Sequence, residues 1–270
     1  MNLDFLHNKK VVLLFTPGLD SYLSKWYLEK HEKIENLNYV YFHINSRYSY
    51  LERQLLEAFY GFDKINIHRD IIDLSSVEKE DAYIPNRNAL LITLAQSLYD
   101  PDVILINGFK DDRISDNNTN FYEKMTDMLS VSADKLVIVT SIFRNYEKSE
   151  IVKKYYHEMG SLSEIITNTF SCYNGKKRSY MCELYMKADE NYVSRKEKHR
   201  IFGCMRCKAC FRKLCALTAA NIYIDGNFNE DMFNSFDDEM RILYPNRFRT
   251  INEYYNFRHY MKNKNLPKHW

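Results

Sequence analysis

Three cysteines recur at every third position in "GCMRCKACFRK", residues 203–213: Cys204, Cys207 and Cys210. A C-x₂-C-x₂-C spacing puts three thiolates on one tight turn, close enough to share a metal ion, with a remote cysteine needed to close a tetrahedral set. Such a set suits zinc, and the same spacing also opens iron–sulfur motifs, so spacing alone leaves both metals standing. Reduced structural thiols are the plainer alternative. Cys182 is one candidate for the remote ligand, whereas Cys215, on an apolar helical stretch five residues after Cys210, reads as core.

A second stretch carries a different chemistry. "FTPGLDSYLS", residues 15–24, follows the apolar run "KKVVLLF" and opens a helical pattern. A turn between a strand and a helix N-terminus offers backbone N–H groups and a favourable dipole to an anion. Gly18 permits close approach, Thr16 and Ser21 supply hydroxyls, and Asp20 can cap the helix, orient the loop or help hold Mg²⁺. Pro17 fixes its own φ and removes one N–H donor. An ordinary β–α turn with Asp20 or Ser21 as N-cap is the bland reading. In "DAYIPNRNALLITLAQSLY", residues 81–99, Pro85 stops an extended segment and a helix begins near Asn88. Arg87 then stands where a guanidinium can meet phosphate, unless it is simply a surface arginine at a helix start. "INGFKDDRISDNNTNFYEKM", residues 106–125, is a polar loop whose acids, Asp111 and Asp112, can accept from a purine-like N–H edge or bind Mg²⁺; a solvated turn before a capped helix explains it as well.

Elements must carry these residues. Apolar, β-rich runs at 10–15, 38–44, 65–72, 102–107 and 135–142 alternate with helical patterns at 20–32, 48–60, 87–99, 119–130 and 147–159. Continuous apolar strands between helices predict a doubly wound parallel five-stranded α/β sheet, covered on both faces and joined by right-handed crossovers. Such sheets bind ligands beyond the carboxyl ends of their strands, where the first loop lies. From residue 171 the character changes: cysteines cluster, 176–203 is basic, polar and poorly periodic, and 204–221 looks helical. The organisation expected is an α/β domain over 1–170, a cysteine-rich metal-binding segment over 171–221, and a helical extension over 222–270.

The 270 residues carry a formal net charge of +2, which argues against a nucleic-acid binder. No run approaches a membrane span, and "MNLDFLHNKK" is too polar for a signal peptide, so the expected location is cytoplasmic.

Taken together, these stretches resemble a known family. "TPGLDS" resembles the Ser-Gly-Gly-x-Asp-Ser loop of the PP-loop ATP pyrophosphatases, with Thr16 for Ser and Pro17 for Gly. Tyr83, Pro85, Arg87 and Asn88 match the "Y-V/I-P-G-R-N" segment of the 7-cyano-7-deazaguanine synthases, the QueC family, with Asn86 in place of Gly. "FSCYNG", residues 170–175, and the cysteine cluster resemble that family's "SCY" and "C-G-x-C-x-x-C-x-x-R" segments. "RNYEKSEIVKKYY", residues 144–156, is similar to its "K-x-E/D-I-V" helix, and "INSRYSYLERQLLE", residues 44–57, retains Glu52 of its "Y-G-Q-x-H-x-x-E" segment. In 106–125, Gly108, Asp111 or Asp112, Ser115 and Phe121 are counterparts of the family's substrate loop, whose Pro-Asp-Cys core is absent here.

The resemblance implies a PP-loop, Rossmann-like fold and an enzyme that cleaves ATP to AMP and pyrophosphate while adenylating 7-carboxy-7-deazaguanine, then joins the carbonyl to an amine as amide or nitrile. ATP would be held by Thr16, Gly18, Leu19, Asp20 and Ser21, with Mg²⁺. Asp20, Ser21, Arg87 and Lys148 would serve catalysis. Tyr83, Arg87, Asn88, Gly108 and Asp112 would meet the deazaguanine. Zn²⁺ would be held by Cys172, Cys204, Cys207 and Cys210, in a closed, structural site. Pro17, the long cysteine interval and the tail fit a paralogue from anti-phage defence loci that passes the activated base to a protein amine. A degenerate nucleotide-binding zinc scaffold, a tRNA-thiolation enzyme and a homodimer remain open.

Overall fold

The computed structural model describes residues 3–60, 64–80, 82–110, 112, 115–161, 163–173, 179–186, 196–202, 208–220 and 222–225. Cys204, Cys207, Asp111 and the expected helical extension from residue 226 onward lie outside them. The chain divides into two compact units, Met1–Lys148 and Ser149–Trp270.

The first unit is built on five parallel strands: β1 (Val11–Leu14), β2 (Leu37–Phe42), β3 (Asn66–His68), β4 (Val103–Leu105) and β5 (Ile138–Thr140), in the order β3-β2-β1-β4-β5. β1, β2, β4 and β5 are largely apolar and mostly buried, as strands covered on both faces require, whereas β3, Asn-Ile-His at the sheet edge, is exposed to half-buried. Val11, Val12 and Leu13 of the central strand are essentially solvent-free. Alternate residues face opposite layers. Val12, Val40, Phe42, Ile104 and Val139 pack on Ile92 and Ala95 of α3 (Arg87–Tyr99) and on Tyr122, Met125 and Leu129 of α4 (Thr119–Ala133). On the opposite face, Phe15 meets Tyr39 and Tyr60 edge-on, and the Tyr41 hydroxyl donates to Glu52 of α2 (Ser49–Phe59). Full burial of each such side chain contributes about 1.5–3 kcal/mol, so the sheet is the unit's chief source of stability.

The helices fall where the periodicity predicts them. α1 (Leu19–Tyr27) runs on through a π turn, Leu28–Glu32, and ends at Lys33 in the left-handed region. β3 is shorter than the run 65–72. Its pairing with β2 ends at the His43 N–H to His68 carbonyl bond, after which Leu74 N–H bonds to the Ile44 carbonyl and the chain leaves the sheet edge.

In the second unit, α5 (Lys148–Met159, entering from the first), α6 (Ser163–Thr167) and α7 (Lys208–Ala219) accompany a three-stranded antiparallel sheet in the order β7-β6-β8. Its strands are β6 (Ser179–Met186), β7 (Lys196–Phe202) and β8 (Ile222–Asp225). The stretch 176–203, which shows little periodicity as sequence, therefore contains a paired hairpin, Ser179 opposite Phe202 through Tyr185 opposite Lys196. Among the described residues no helix is long and apolar enough to cross a membrane.

Candidate functional site

The strand order reverses direction between β1 and β4, since β2 and β3 lie on one side of β1 while β4 and β5 lie on the other. That reversal opens a crevice at the carboxyl ends of β1 and β4, the place where doubly wound sheets bind ligands. The loop Phe15–Gly18 forms one wall, and Ile106–Gly108 continues β4 on the other.

The loop is held from within. Thr16 N–H donates to Ser21 Oγ at 3.1 Å, the Thr16 and Ser21 hydroxyls lie 3.2 Å apart, and Gly18 N–H donates to Thr16 Oγ1 at 3.4 Å. Ser21 is 1% exposed, whereas Thr16 is exposed. The N-cap of α1 is Gly18, in extended geometry and without a side-chain cap, so neither Asp20 nor Ser21 caps this helix. Leu19, buried at 1% exposure, anchors the first turn in the core. Pro17 is buried as well, stiffening the loop at the point where an N–H is missing.

Asp20, in the first turn of α1, and Lys148, at the start of α5, are far apart in sequence. Lys148 Nζ reaches Asp20 Oδ1 at 2.9 Å and stands 5.2 Å from the centre of the Phe109 ring, which stacks on Phe143. The side chains are 12% and 30% exposed, so the pair is shielded enough to count, and a cation is brought beside the loop.

Gly108 and Asp112 form a tight, buried corner after β4. Gly108 N–H donates to Ser141 Oγ, which donates back to the Gly108 carbonyl at 2.6 Å. A Cβ on Gly108 would fall 2.1 Å from the Tyr122 hydroxyl and 2.7 Å from Asn117 Oδ1, so only glycine fits. Asp112 Oδ2 accepts from Phe109 N–H at 3.1 Å and Asn117 Nδ2 at 3.3 Å. The Tyr122 phenol is pushed above its ordinary range, first by burial and then by the Asp112 carboxylate. Asp112 thus braces the corner. The next turn ends at Asn118, whose side chain caps α4 by accepting from Phe121 N–H.

At the mouth of β2, Arg87 Nη1 donates to the Tyr48 hydroxyl at 3.0 Å, and Asn88 Nδ2 donates to the Asp116 carbonyl at 2.9 Å. α3 begins at Arg87 itself, with Asn86 as its N-cap at φ +56°. Glu52 lies in this neighbourhood. Burial pushes its carboxyl up to about 7, against the opposing pull of the Arg87 guanidinium and the Tyr41 hydroxyl. Tyr83 is 38% exposed, its ring beneath Lys79 Nζ at 5.3 Å and its carbonyl accepting from Lys79 N–H. Arg47 clamps the approach to α3, through Glu78 Oε1 at 2.8 Å and the carbonyls of Lys79 and Glu80.

One residue of the crevice goes beyond those chosen from the sequence. Asn107 Nδ2 donates both to the Leu14 carbonyl, at 2.6 Å, and to Ser21 Oγ, at 2.9 Å, bridging the ends of β4 and β1. Its position two residues past the end of an apolar strand was the only signal the sequence held.

In the second unit, two of the four cysteines expected to bind metal are described. Cys172 and Cys210 are both buried. Lys213, itself buried, donates to the Thr169 carbonyl at 3.1 Å and to Thr169 Oγ1 at 2.6 Å. That tie joins the segment leading to Cys172 to the helix that carries Cys210. Among the described residues, no three His, Cys, Asp or Glu side chains cluster as a metal site.

A family model described as queuosine biosynthesis protein QueC matches residues 51–221, well over half of the chain. No curated protein matches by sequence. Among solved structures, the U34-tRNA thiolase NcsA from Methanococcus maripaludis with its [4Fe-4S] cluster is 14% identical, with a TM-score of 0.39 over 58% of this chain and 60% of that one. The chain therefore spans less than two thirds of that thiolase's length. A predicted subunit of tRNA methyltransferase from Methanocaldococcus jannaschii is 18% identical, with a TM-score of 0.34 over 57% of this chain and 90% of that one.

Proposed function

The chain belongs to the QueC family, whose members are ATP-pyrophosphatase-type enzymes, and from that premise we propose that it is an ATP-dependent ligase acting on a deazaguanine carboxylate. The observation that carries the proposal is the meeting of the Thr16–Ser21 loop with the Lys148–Asp20 pair, beside the β1–β4 crevice. A carboxylate oxygen of 7-carboxy-7-deazaguanine attacks the α-phosphorus of ATP and pyrophosphate leaves. An amine then attacks the acyl carbon, AMP leaves, and loss of a proton yields the amide. The amide oxygen then attacks the α-phosphorus of a second ATP, pyrophosphate and one N–H proton leave, and departure of AMP with the remaining N–H proton yields the nitrile. The Thr16 hydroxyl and the loop around Gly18 and Leu19 hold the departing pyrophosphate together with Lys148, which Asp20 orients; Asp20 would also help hold Mg²⁺, which would supply further charge stabilisation to the leaving group. Arg87, turned towards Tyr48, and Asn88, fastened to the Asp116 carbonyl, line the entrance with Tyr83. Gly108 and Asp112 shape the floor.

The four cysteines hold a structural metal, and the family's "SCY" context at Cys172 favours zinc. Metal analysis with an absorbance spectrum separates the alternatives: a colourless protein with one zinc per chain supports this assignment, and a brown, iron-containing one replaces it with a cluster. The acceptor amine has a second reading. The β6–β7 hairpin occupies the long interval between Cys172 and Cys204, which favours a macromolecular acceptor, a protein amine in place of ammonia.

Purified protein incubated with ATP, Mg²⁺ and 7-carboxy-7-deazaguanine, with and without ammonia, tests both. AMP release that depends on the deazaguanine supports the ligase, and an amide or nitrile mass with ammonia supports base synthesis. Adenylation with no ammonia product points to the protein acceptor. Absence of AMP under every condition overturns the proposal.

A further inference from the structure

Asn107 fixes the direction in which the hydroxyls of the first loop donate. Its amide orientation is settled by the Leu14 carbonyl, which only accepts, so Nδ2 and not Oδ1 faces that oxygen at 2.6 Å. The same Nδ2 reaches Ser21 Oγ at 2.9 Å, and Thr16 N–H reaches it at 3.1 Å. A serine oxygen has two lone pairs and one proton. With both lone pairs engaged by N–H donors, Ser21 can contribute only its proton, and the Thr16 hydroxyl oxygen lies 3.2 Å away to take it. Gly18 N–H approaches that same oxygen at 3.4 Å. The Thr16 oxygen is then engaged twice as an acceptor, and its own proton is left to point outward from an exposed position.

We propose that Asn107, Ser21 and Thr16 form a one-way hydrogen-bond chain that makes the Thr16 hydroxyl an obligate donor to an anionic oxygen bound at the loop, with Asn107 as the positioning residue. This rests on the reading of the loop as a pyrophosphate site and deepens it. The chain restores in side chains the donor that Pro17 removes from the backbone. It also explains a buried defect: Asn107 Oδ1 has no hydrogen-bond partner, a strain the fold tolerates because the amide nitrogen does both jobs. Bonds within such a chain polarise one another, so the terminal donor is stronger than an isolated threonine.

The test is a double-mutant cycle on binding of inorganic pyrophosphate with Mg²⁺, by calorimetry on the full chain. Asn107→Asp turns the first donor into an acceptor and reverses the chain. Thr16→Val removes the last donor while keeping the shape at an exposed position. Each is expected to weaken binding at least about tenfold, the loss of one charge-assisted hydrogen bond, and the double variant to lose little more than either alone. Losses that simply add would overturn the chain, because damage to the fold and loss of a phosphate contact are independent effects. Wild-type affinity in Asn107→Asp, with melting temperature measured alongside, would overturn it too. If Asn107→Asp does not fold, a Thr16→Val protein with unchanged affinity is sufficient to overturn it. Absence of pyrophosphate binding by the wild type removes the underlying reading of the loop as well, and so distinguishes the two failures.

Discussion

Lys148 and Asp20 are worth most as a pair. An ion pair this shielded fixes where the ammonium stands, but a single partly exposed pair adds little to stability. Lys148→Met is therefore expected to lower adenylation by about 10²-fold or more, the effect of losing one preorganised charge partner of the transition state, with a nearly unchanged melting temperature. AMP release under saturating ATP checks it, and equal rates would remove Lys148 from the mechanism. Gly108 has the opposite profile. Its missing Cβ makes room for the Tyr122 hydroxyl and Asn117, so Gly108→Ala should destabilise by about 1–3 kcal/mol in urea denaturation, and Tyr122→Phe in the same background should recover part of it. Glu52 supplies the pH dependence. Its carboxyl is raised in the folded protein from 4.5 to about 7. A raised group favours folding fully below its ordinary value and loses that contribution as pH climbs through the folded value. Stability should thus fall from about pH 5 to about pH 8 more steeply in the wild type than in Glu52→Gln, read from denaturation midpoints at the two pH values.

Among the elements, the start of α3 shows what a motif position means physically. Asn86 holds φ +56°, a conformation that glycine enters freely, asparagine tolerates and β-branched residues resist. Asn86 therefore fits the place in "YIPNRN" where the motif it resembles has glycine. Asn86→Gly should change stability by less than about 1 kcal/mol, whereas Asn86→Val should cost about 1–2 kcal/mol, measured as thermal or urea midpoints. Most of the five parallel strands and their helices were legible from the sequence because they are apolar or 3.6-periodic runs that specify themselves locally, whereas the short polar edge strand β3 was bounded only by its pairing with β2. The β6–β7 hairpin was not. Lys196–Phe202 carries charge through most of its length, and no tight-turn dipeptide joins it to Ser179–Met186. Such strands are defined by the partner they pair with, which a local pattern does not contain.

For the whole molecule, the two compact units carry different kinds of stability. The first rests on the buried sheet. In the second, Cys172 and Cys210 are buried and Lys213 is tied to Thr169, and the proposed structural metal would add to that. Stripping metal with a strong chelator should therefore raise amide exchange in Lys208–Ala219, with β1 and β4 as internal reference. Unchanged protection of that helix after verified metal loss would argue against a structural thiolate site.

Local pattern carried the order of strands and helices along the chain and the loop at the tip of the first strand, both properties of neighbouring residues, while the signatures at Arg87, Lys148 and Cys172 came from the resemblance to a known family. Tertiary structure alone decided which distant side chains complete one another. Lys148 meets Asp20, Asn107 bridges Leu14 and Ser21, and Arg87 turns to Tyr48 because the sheet order brings the carboxyl ends of separate strands together. Those contacts have no sequence spacing to read, since a hydrogen bond depends on ångström-scale placement that only the packed sheet imposes.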